Sequence, residues 1–189
     1  ELAGYRDHPG LLARLHNYRV TLRFGLHIGN SIEGPIGSQF KIDASYVSTH
    51  VTLASQLESI ASSYAAMILL TEALARSCSE GVQRYFRAID RILMEAAKDP
   101  MRIFTFDVDC DALFVNVAKI GLRTESNKYA ARLQRQDAKS AKLESSYQPL
   151  DVFLTDKHIQ RMRAIYSLEF FQSFEKGYLN YEAGEWIVA

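Results

Sequence analysis

Apolar and polar residues alternate through RVTLRFGLHIG, Arg19 to Gly29, so that Val20, Leu22, Phe24, Leu26 and Ile28 share one side of an extended chain. Such alternation predicts a half-buried strand with that set turned to the core. His27 points the other way and is expected to be a structural or interface residue. Gly29 and Gly34 bracket NSIE, and GPIGSQFKIDASYV predicts a hairpin with a Gly-Pro interruption. From Val51 to Tyr64 the period lengthens to that of a helix, with Ala54, Leu57, Ala61 and Tyr64 as its core stripe. MILLT predicts a short buried strand, and TEALARSC a helix with Thr71 as its N-cap. VQRYFRAIDRILM and MRIFTFDVD predict two further strands, separated by EAAKDP with Pro100 marking strand entry.

Either side of this region the pattern changes. Residues 1–18 are mixed, with DHPGLLARLHNY suggesting a turn and a short helix. The pattern weakens from Cys110 to Gln148, and RTESNKYAARLQRQDAKSAKLESS is polar enough to be a linker or a solvated helix. The last segment is strongly amphipathic. Ile159, Met162, Tyr166, Phe170, Phe174, Tyr178 and Tyr181 recur at three- and four-residue steps. Thr155 or Asp156 is placed to cap its start and Gly184 to end it. Its aromatic stripe either docks on its own domain or forms a partner surface through Phe170, Phe174 and Tyr178. The expected organisation is an N-terminal helical segment (1–18), a core (19–109), a linker or solvated helix (110–150) and a C-terminal amphipathic helix (151–189).

Composition narrows the function classes. Of 189 residues, 48 % are hydrophobic and 23 % charged, a globular balance. Lys plus Arg and Asp plus Glu both number 22, so net charge is zero. That balance argues against a nucleic-acid or anionic-membrane surface. Cys78 and Cys110 form neither a metal spacing nor a disulfide framework, which favours a reducing, cytoplasmic setting. The apolar run AAMILL is far short of the ~20 residues a membrane helix needs, although a parent protein could carry a span. The chain opens on Glu1, shows no signal-peptide pattern, and is expected to be a fragment or the ordered part of something larger.

Isolated motifs carry little chemistry. GNSIEGPIG lacks the Lys-Ser/Thr ending of a phosphate loop. Asp107, Asp109 and Asp111 in DVDCD lack the glycine hinge and distal Glu of a calcium loop, and are expected to be solvated. His50 is expected near a helix cap or exposed. No Ser-His-Asp or Cys-His arrangement stands out.

Several motifs in order do point to a family. GLHIG, FKIDASYVS, VTLASQLE and RAIDRILMEAAKDPMRIFTFDVD resemble, in sequence order, the second half of the class III adenylate/guanylate cyclase domain. GLHIG is similar to that family's GxHxG strand, and FKIDASYVS to a hairpin of a protist and algal branch. VTLASQLE stands in the place of the helix motif V-N-x-A-x-R-x-E. The resemblance covers about residues 19–109, and DKHIQRMR to YEAGEW resembles segments that follow such domains in protist cyclases. It implies an α+β, ferredoxin-like class III cyclase fold, truncated at its N-terminal side, with an appended amphipathic helix. It also implies a reaction in which the ribose 3′-hydroxyl attacks the α-phosphate of ATP or GTP and pyrophosphate leaves. Such domains pair head to tail. One supplies two Asp for Mg²⁺ or Mn²⁺, which neutralise the polyphosphate and activate the attacking oxygen. The other supplies an Asn that positions the ribose, an Arg that stabilises transition-state charge and a Lys that holds the outer phosphates.

In this sequence the Asn position is Thr52, the Arg position Gln56 and the Lys position Glu95. The base-facing hairpin position is Ser45, with Asp43 two residues off that register. Gln has no fixed positive charge, and Glu95 would set a negative charge near a polyphosphate. Upstream acids are Glu1 and Asp7, neither in a metal-site motif, so a metal face is expected on other sequence. The resemblance therefore leaves three functions open. One is a degenerate domain that pairs with a second cyclase-homology domain as regulator or structural partner. Another is the metal-bearing half of a heterodimeric cyclase, in which Thr and a non-Arg residue also replace Asn and Arg. The third is a scaffold module docking through its C-terminal helix.

Overall fold

The computed structural model describes residues 9–15, 21–113, 125–144 and 146–187; Glu1, Asp7, Arg19 and Val20 lie outside them. The chain divides into two compact units, one from 1–21 with 110–162, the other from 22–109 with 163–189.

The second unit holds the sheet. Its strands are β1 (Phe24–Leu26), β4 (Ile68–Thr71), β5 (Phe86–Ile92) and β6 (Met101–Phe106), in the order β1-β4-β6-β5. β1 runs parallel to β4, while β4–β6 and β5–β6 are antiparallel, giving a mixed sheet. The connection from β1 to β4 carries an antiparallel hairpin, β2 (Ile32–Gly37) and β3 (Ile42–Val47), then helix α2 (Thr49–Ile60). Helix α1 (Pro9–Leu12) belongs to the other unit.

Helix α2 starts where Ser48 turns extended and its hydroxyl accepts the His50 N–H at 3.0 Å. Leu53, Leu57 and Ala61 then fall on one face and meet Leu69, Met94 and Ile103 in the core. A fully buried Leu or Ile contributes about 1.5–3 kcal/mol of transfer free energy. Ala54, expected in the stripe, instead backs onto Gly25. The helix stops short of the expected Tyr64 because the chain turns at Ala65, whose φ is +49°, and the Ala66 N–H returns to the Ala61 carbonyl.

Strand β1 departs from expectation in length and in facing. Only Phe24–Leu26 is strand, and Leu22, Phe24, Leu26 and Ile28 are 42–47 % exposed. The opposite side of β1 meets α2. A Cβ on Gly25 would lie 2.1 Å from the Ala54 carbonyl oxygen and 2.5 Å from the Glu58 nitrogen. A residue without a side chain lets helix and strand backbones touch, and that contact decides which side is covered.

Two short helices, α3 (Glu72–Ser77) and α4 (Glu80–Gln83), follow β4, so VQRYFRAIDRILM opens as helix and becomes strand only at Phe86. Thr71 precedes α3 but makes no side-chain cap bond there. The C-terminal segment is three helices: α6 (Pro149–Thr155), α7 (Lys157–Arg163) and α8 (Leu168–Glu182), with α5 (Glu125–Ala141) before them. Asp156 caps α7, accepting the His158 and Ile159 N–H groups at 2.8 and 3.0 Å. Ser167 caps α8 and so interrupts the aromatic stripe after Tyr166. Gly184, at φ +79°, ends α8 as expected.

In the first unit, α5 occupies part of the expected linker and its described side chains are exposed. Residues 114–124 of that linker lie outside the described ones. Cys110 Sγ meets Met162 Sδ at 3.7 Å. Among the described residues no helix is long and apolar enough to cross a membrane.

Candidate functional site

The helical period sets Thr52 and Gln56 on one face of α2, a turn apart. The sheet brings Glu95 to them, just beyond the end of β5. The three line one cleft of about 360 Å³. Its α2 wall is mostly hydroxyl and amide, from Thr52, Ser55, Gln56 and Ser59, with Ile60 at its end. Its other wall is Ile92, Leu93, Met94 and Glu95. The residues predicted from sequence positions far apart are thus neighbours.

The cleft satisfies itself. Gln56 Nε2 donates to Glu95 Oε2 at 3.4 Å, and Gln56 Oε1 accepts the Ala96 N–H at 3.4 Å. Thr52 Oγ1 turns back to the Ser48 carbonyl at 3.4 Å. Glu95 is the cleft's single ionisable lining residue, and no Lys or Arg lines it. A triphosphate would meet one negative charge and no compensating cation, a repulsion of about 1 kcal/mol per charge pair at 4 Å in water. Mg²⁺ or Mn²⁺ requires clustered oxygen ligands, and Glu95 alone does not fit that need. Among the described residues no group of three or more His, Cys, Asp or Glu is placed to hold a metal.

Ser45 sits in β3 opposite Gly34, half-buried, and does not line this cleft. Asp43 is exposed and pairs with Lys41 at 2.8 Å, a surface contact worth about 0–1 kcal/mol.

The aromatic residues of α8 engage their own unit. Phe174 lies beneath the Arg87 guanidinium at 4.1 Å, and Phe170, 38 % exposed, lies 5.3 Å from it. Tyr178 is buried and donates to Glu182, which takes two bonds from Arg102 at 2.7 and 3.0 Å. Burial, then the Glu182 contact, pushes the Tyr178 phenol up to about 12. Asp90 stands at a bulge in β5 and accepts the hydroxyls of Tyr64 and Tyr181. Burial disfavours its charge, yet those hydroxyls and the Arg91 N–H together hold its carboxyl below the ordinary value.

Asp107 corrects the expectation of a solvated acid. It is buried and takes both Arg87 Nε and Nη2, at 2.7 and 2.6 Å. Its signal in the sequence was the alternation Met101, Ile103, Thr105, Asp107, which continues the buried face of β6 to its end. His50 lies in the helix cap, as one expectation had it, with its N–H on Ser48, and it is half-buried because its ring meets His27.

No protein-family profile matches the chain. An adenylate cyclase of Anabaena cylindrica is 30 % identical over 81 residues, 43 % of this chain and 16 % of that protein. Two solved structures of a bacterial light-regulated adenylyl cyclase align with TM-scores of 0.37 and 0.35, both at 23 % identity. They cover 44 % and 43 % of this chain, and 23 % and 22 % of their own. The chain therefore spans 16 % of the length of the curated relative it matches, and carries, on a mixed α/β fold, a segment similar in sequence to adenylate cyclase.

Proposed function

We propose that this chain is a degenerate class III cyclase-homology domain that works by pairing with a second cyclase-like domain, as regulator or structural partner. Its own α2 cleft does no phosphate chemistry in this reading. The observation that carries it is the cleft itself, where Gln56 is bonded to Glu95 and no cation faces the space a triphosphate would fill. An Arg lost from a phosphate site removes several kcal/mol of transition-state stabilisation, on the order of a lost oxyanion donor.

Pairing has its own support. The uncovered side of β1 (Leu22, Phe24, Leu26, Ile28) and hairpin residues Ile32, Ile36, Phe40, Ile42 and Val47 are all exposed. Several exposed apolar residues on one strand and one hairpin favour an interaction surface there. The C-terminal helix supports a scaffold role less, because Phe174 and Tyr178 are engaged within the chain.

A second reading shares the pairing surface. As the metal-bearing half of a heterodimeric cyclase, the domain would use a metal face supplied by other sequence, and Thr52 and Gln56 would again be idle. The test is cyclic AMP and cyclic GMP synthesis by the intact parent assembly, with Mn²⁺ and ATP or GTP. Thr52→Ala with Gln56→Ala is expected to leave the rate unchanged, while removing the domain changes it. Loss of product in the double variant would overturn both readings, since the cleft would then be catalytic. An unchanged rate after removal of the domain would end the regulatory one.

A further inference from the structure

Outside the cleft, two histidines close the base of the β2–β3 hairpin. His27 lies just before it and His50 just after it. His27 Nε2 and His50 Nδ1 meet at 2.8 Å across 23 residues of sequence, with the rings stacked at 5.0 Å. His27 Nδ1 meets the buried hydroxyl of Thr71 at 2.7 Å. The same junction is bonded a second time, by Ser48 Oγ donating to the Asn30 carbonyl at 2.6 Å. Space there is reserved for the ring: a Cβ on Gly29 would lie 2.2 Å from His50 Cγ.

We propose that the His27–His50 pair is a proton-responsive clasp, holding the root of the hairpin to the sheet while the pair is neutral or singly protonated and releasing it when both rings are charged. The nitrogen–nitrogen bond contains one proton. Two neutral rings supply it, one as donor and one as acceptor. A second imidazolium leaves two N–H groups facing each other at 2.8 Å, with like charges added. Among the described residues, the neighbouring groups give those charges no free acid to pair with. The first turn of α2 has no acidic residue, and His50 sits at the positive end of that helix. Thr71 offers a hydroxyl, and the adjacent Glu72 is held by Arg76 at 2.5 Å and approached by Arg102 at 3.9 Å. Gly29 and Asn30 contribute backbone and an amide. Burial and the neighbouring His50 both hold the His27 imidazole below its ordinary value.

The sign follows. A histidine whose folded value is depressed binds its proton less readily folded than unfolded. The clasp is therefore intact above about pH 6.5, and weakens as pH falls below that, by up to about ten-fold in its closing equilibrium per pH unit. This inference concerns the chain alone and stands whether or not the domain pairs with a cyclase.

The test is NMR on the chain between pH 8 and 5, following the imidazole resonances of His27 and His50 and the amide exchange of Ile32–Val47, corrected for intrinsic exchange. The expected result is a His27 titration displaced below its ordinary value, with hairpin exchange rising by up to about ten-fold between pH 7 and 5.5. His50→Gln removes the second ring charge and should weaken the pH dependence of hairpin exchange, leaving only the part due to burial of His27. Gly29→Ala keeps both titrating groups and displaces the ring, so it should raise hairpin exchange already at pH 7.5. Titration of His27 at its ordinary value, with flat hairpin exchange in the unsubstituted chain, would overturn the clasp whatever the variants do.

Discussion

Gln56 on α2 and Glu95 beyond β5, 39 residues apart, share a hydrogen bond of 3.4 Å across the cleft. The sequence positions that resemble catalytic Arg and Lys thus contact each other and leave no cation between them. Changing Gln56→Arg alone should create a pair with Glu95 and leave triphosphate affinity close to unchanged. Gln56→Arg with Glu95→Lys replaces one negative charge by two positive ones. Titration calorimetry with Mg-ATP should then show affinity rising on the order of ten-fold or more, and less at high salt. An unchanged affinity in the double variant would mean that the cleft does not admit a polyphosphate at all.

Gly25 permits the contact of β1 with α2. Gly25→Ala puts a methyl against backbone atoms of α2, at 2.1 Å from the Ala54 oxygen, and backbone cannot rotate away. A loss of about 1–3 kcal/mol is expected, the usual cost of overpacking. Urea unfolding would measure it. A change within about 0.5 kcal/mol, the range of a neutral surface substitution, would show that α2 is free to shift.

The buried pair of Arg87 and Asp107 gives a larger effect. Asp107→Ala leaves the guanidinium between Phe174 and an apolar hole, with its carboxylate partner gone. Removing one partner of a buried pair costs about 3–5 kcal/mol. If Asp107 were solvated, as its acidic neighbours in DVDCD suggest, the cost would stay under about 1 kcal/mol.

Docking of α8 has a pH window with both signs defined. Asp90 is depressed in the fold, so its contribution is present above the unfolded value of about 3.9 and lost as pH falls through the lower folded one. Tyr64 is raised, by burial first and then by its bond to Asp90, so its contribution is present below about pH 10 and lost as pH rises beyond. The chain's one tryptophan, Trp186, meets the Tyr181 ring edge-on at 5.2 Å and reports on this contact. Its emission should be steady from about pH 5 to 9 and change outside that range. Asp90→Asn should remove the acid-side transition. Persistence of that transition in the variant would assign it to another group.

Much of the fold was legible because it is local. The continuous apolar run of β4, the alternation of β6, the period-3.6 run through Leu57 and Ala61, the start at Asp156 and the stop at Gly184 each depend on a few adjacent residues. Thr52 and Gln56 share a face for the same reason. The break of the aromatic stripe at Ser167 was written there too, as a capping residue inside a helical period, but the longer period masked it.

The sequence by itself determined which residues are apolar, the type of most of the central helices and strands, and that Thr52, Gln56 and Glu95 bring no positive charge. The tertiary structure alone decided which faces are covered. Alternation through Leu22, Phe24, Leu26 and Ile28 says that β1 has an apolar side, but only the approach of α2 onto Gly25 leaves that side outward. Glu95 reached Gln56, His50 reached His27 and Asp107 reached Arg87 because the chain returned across the sheet. Those meetings rest on contacts between distant segments, and no short window of sequence contains both partners.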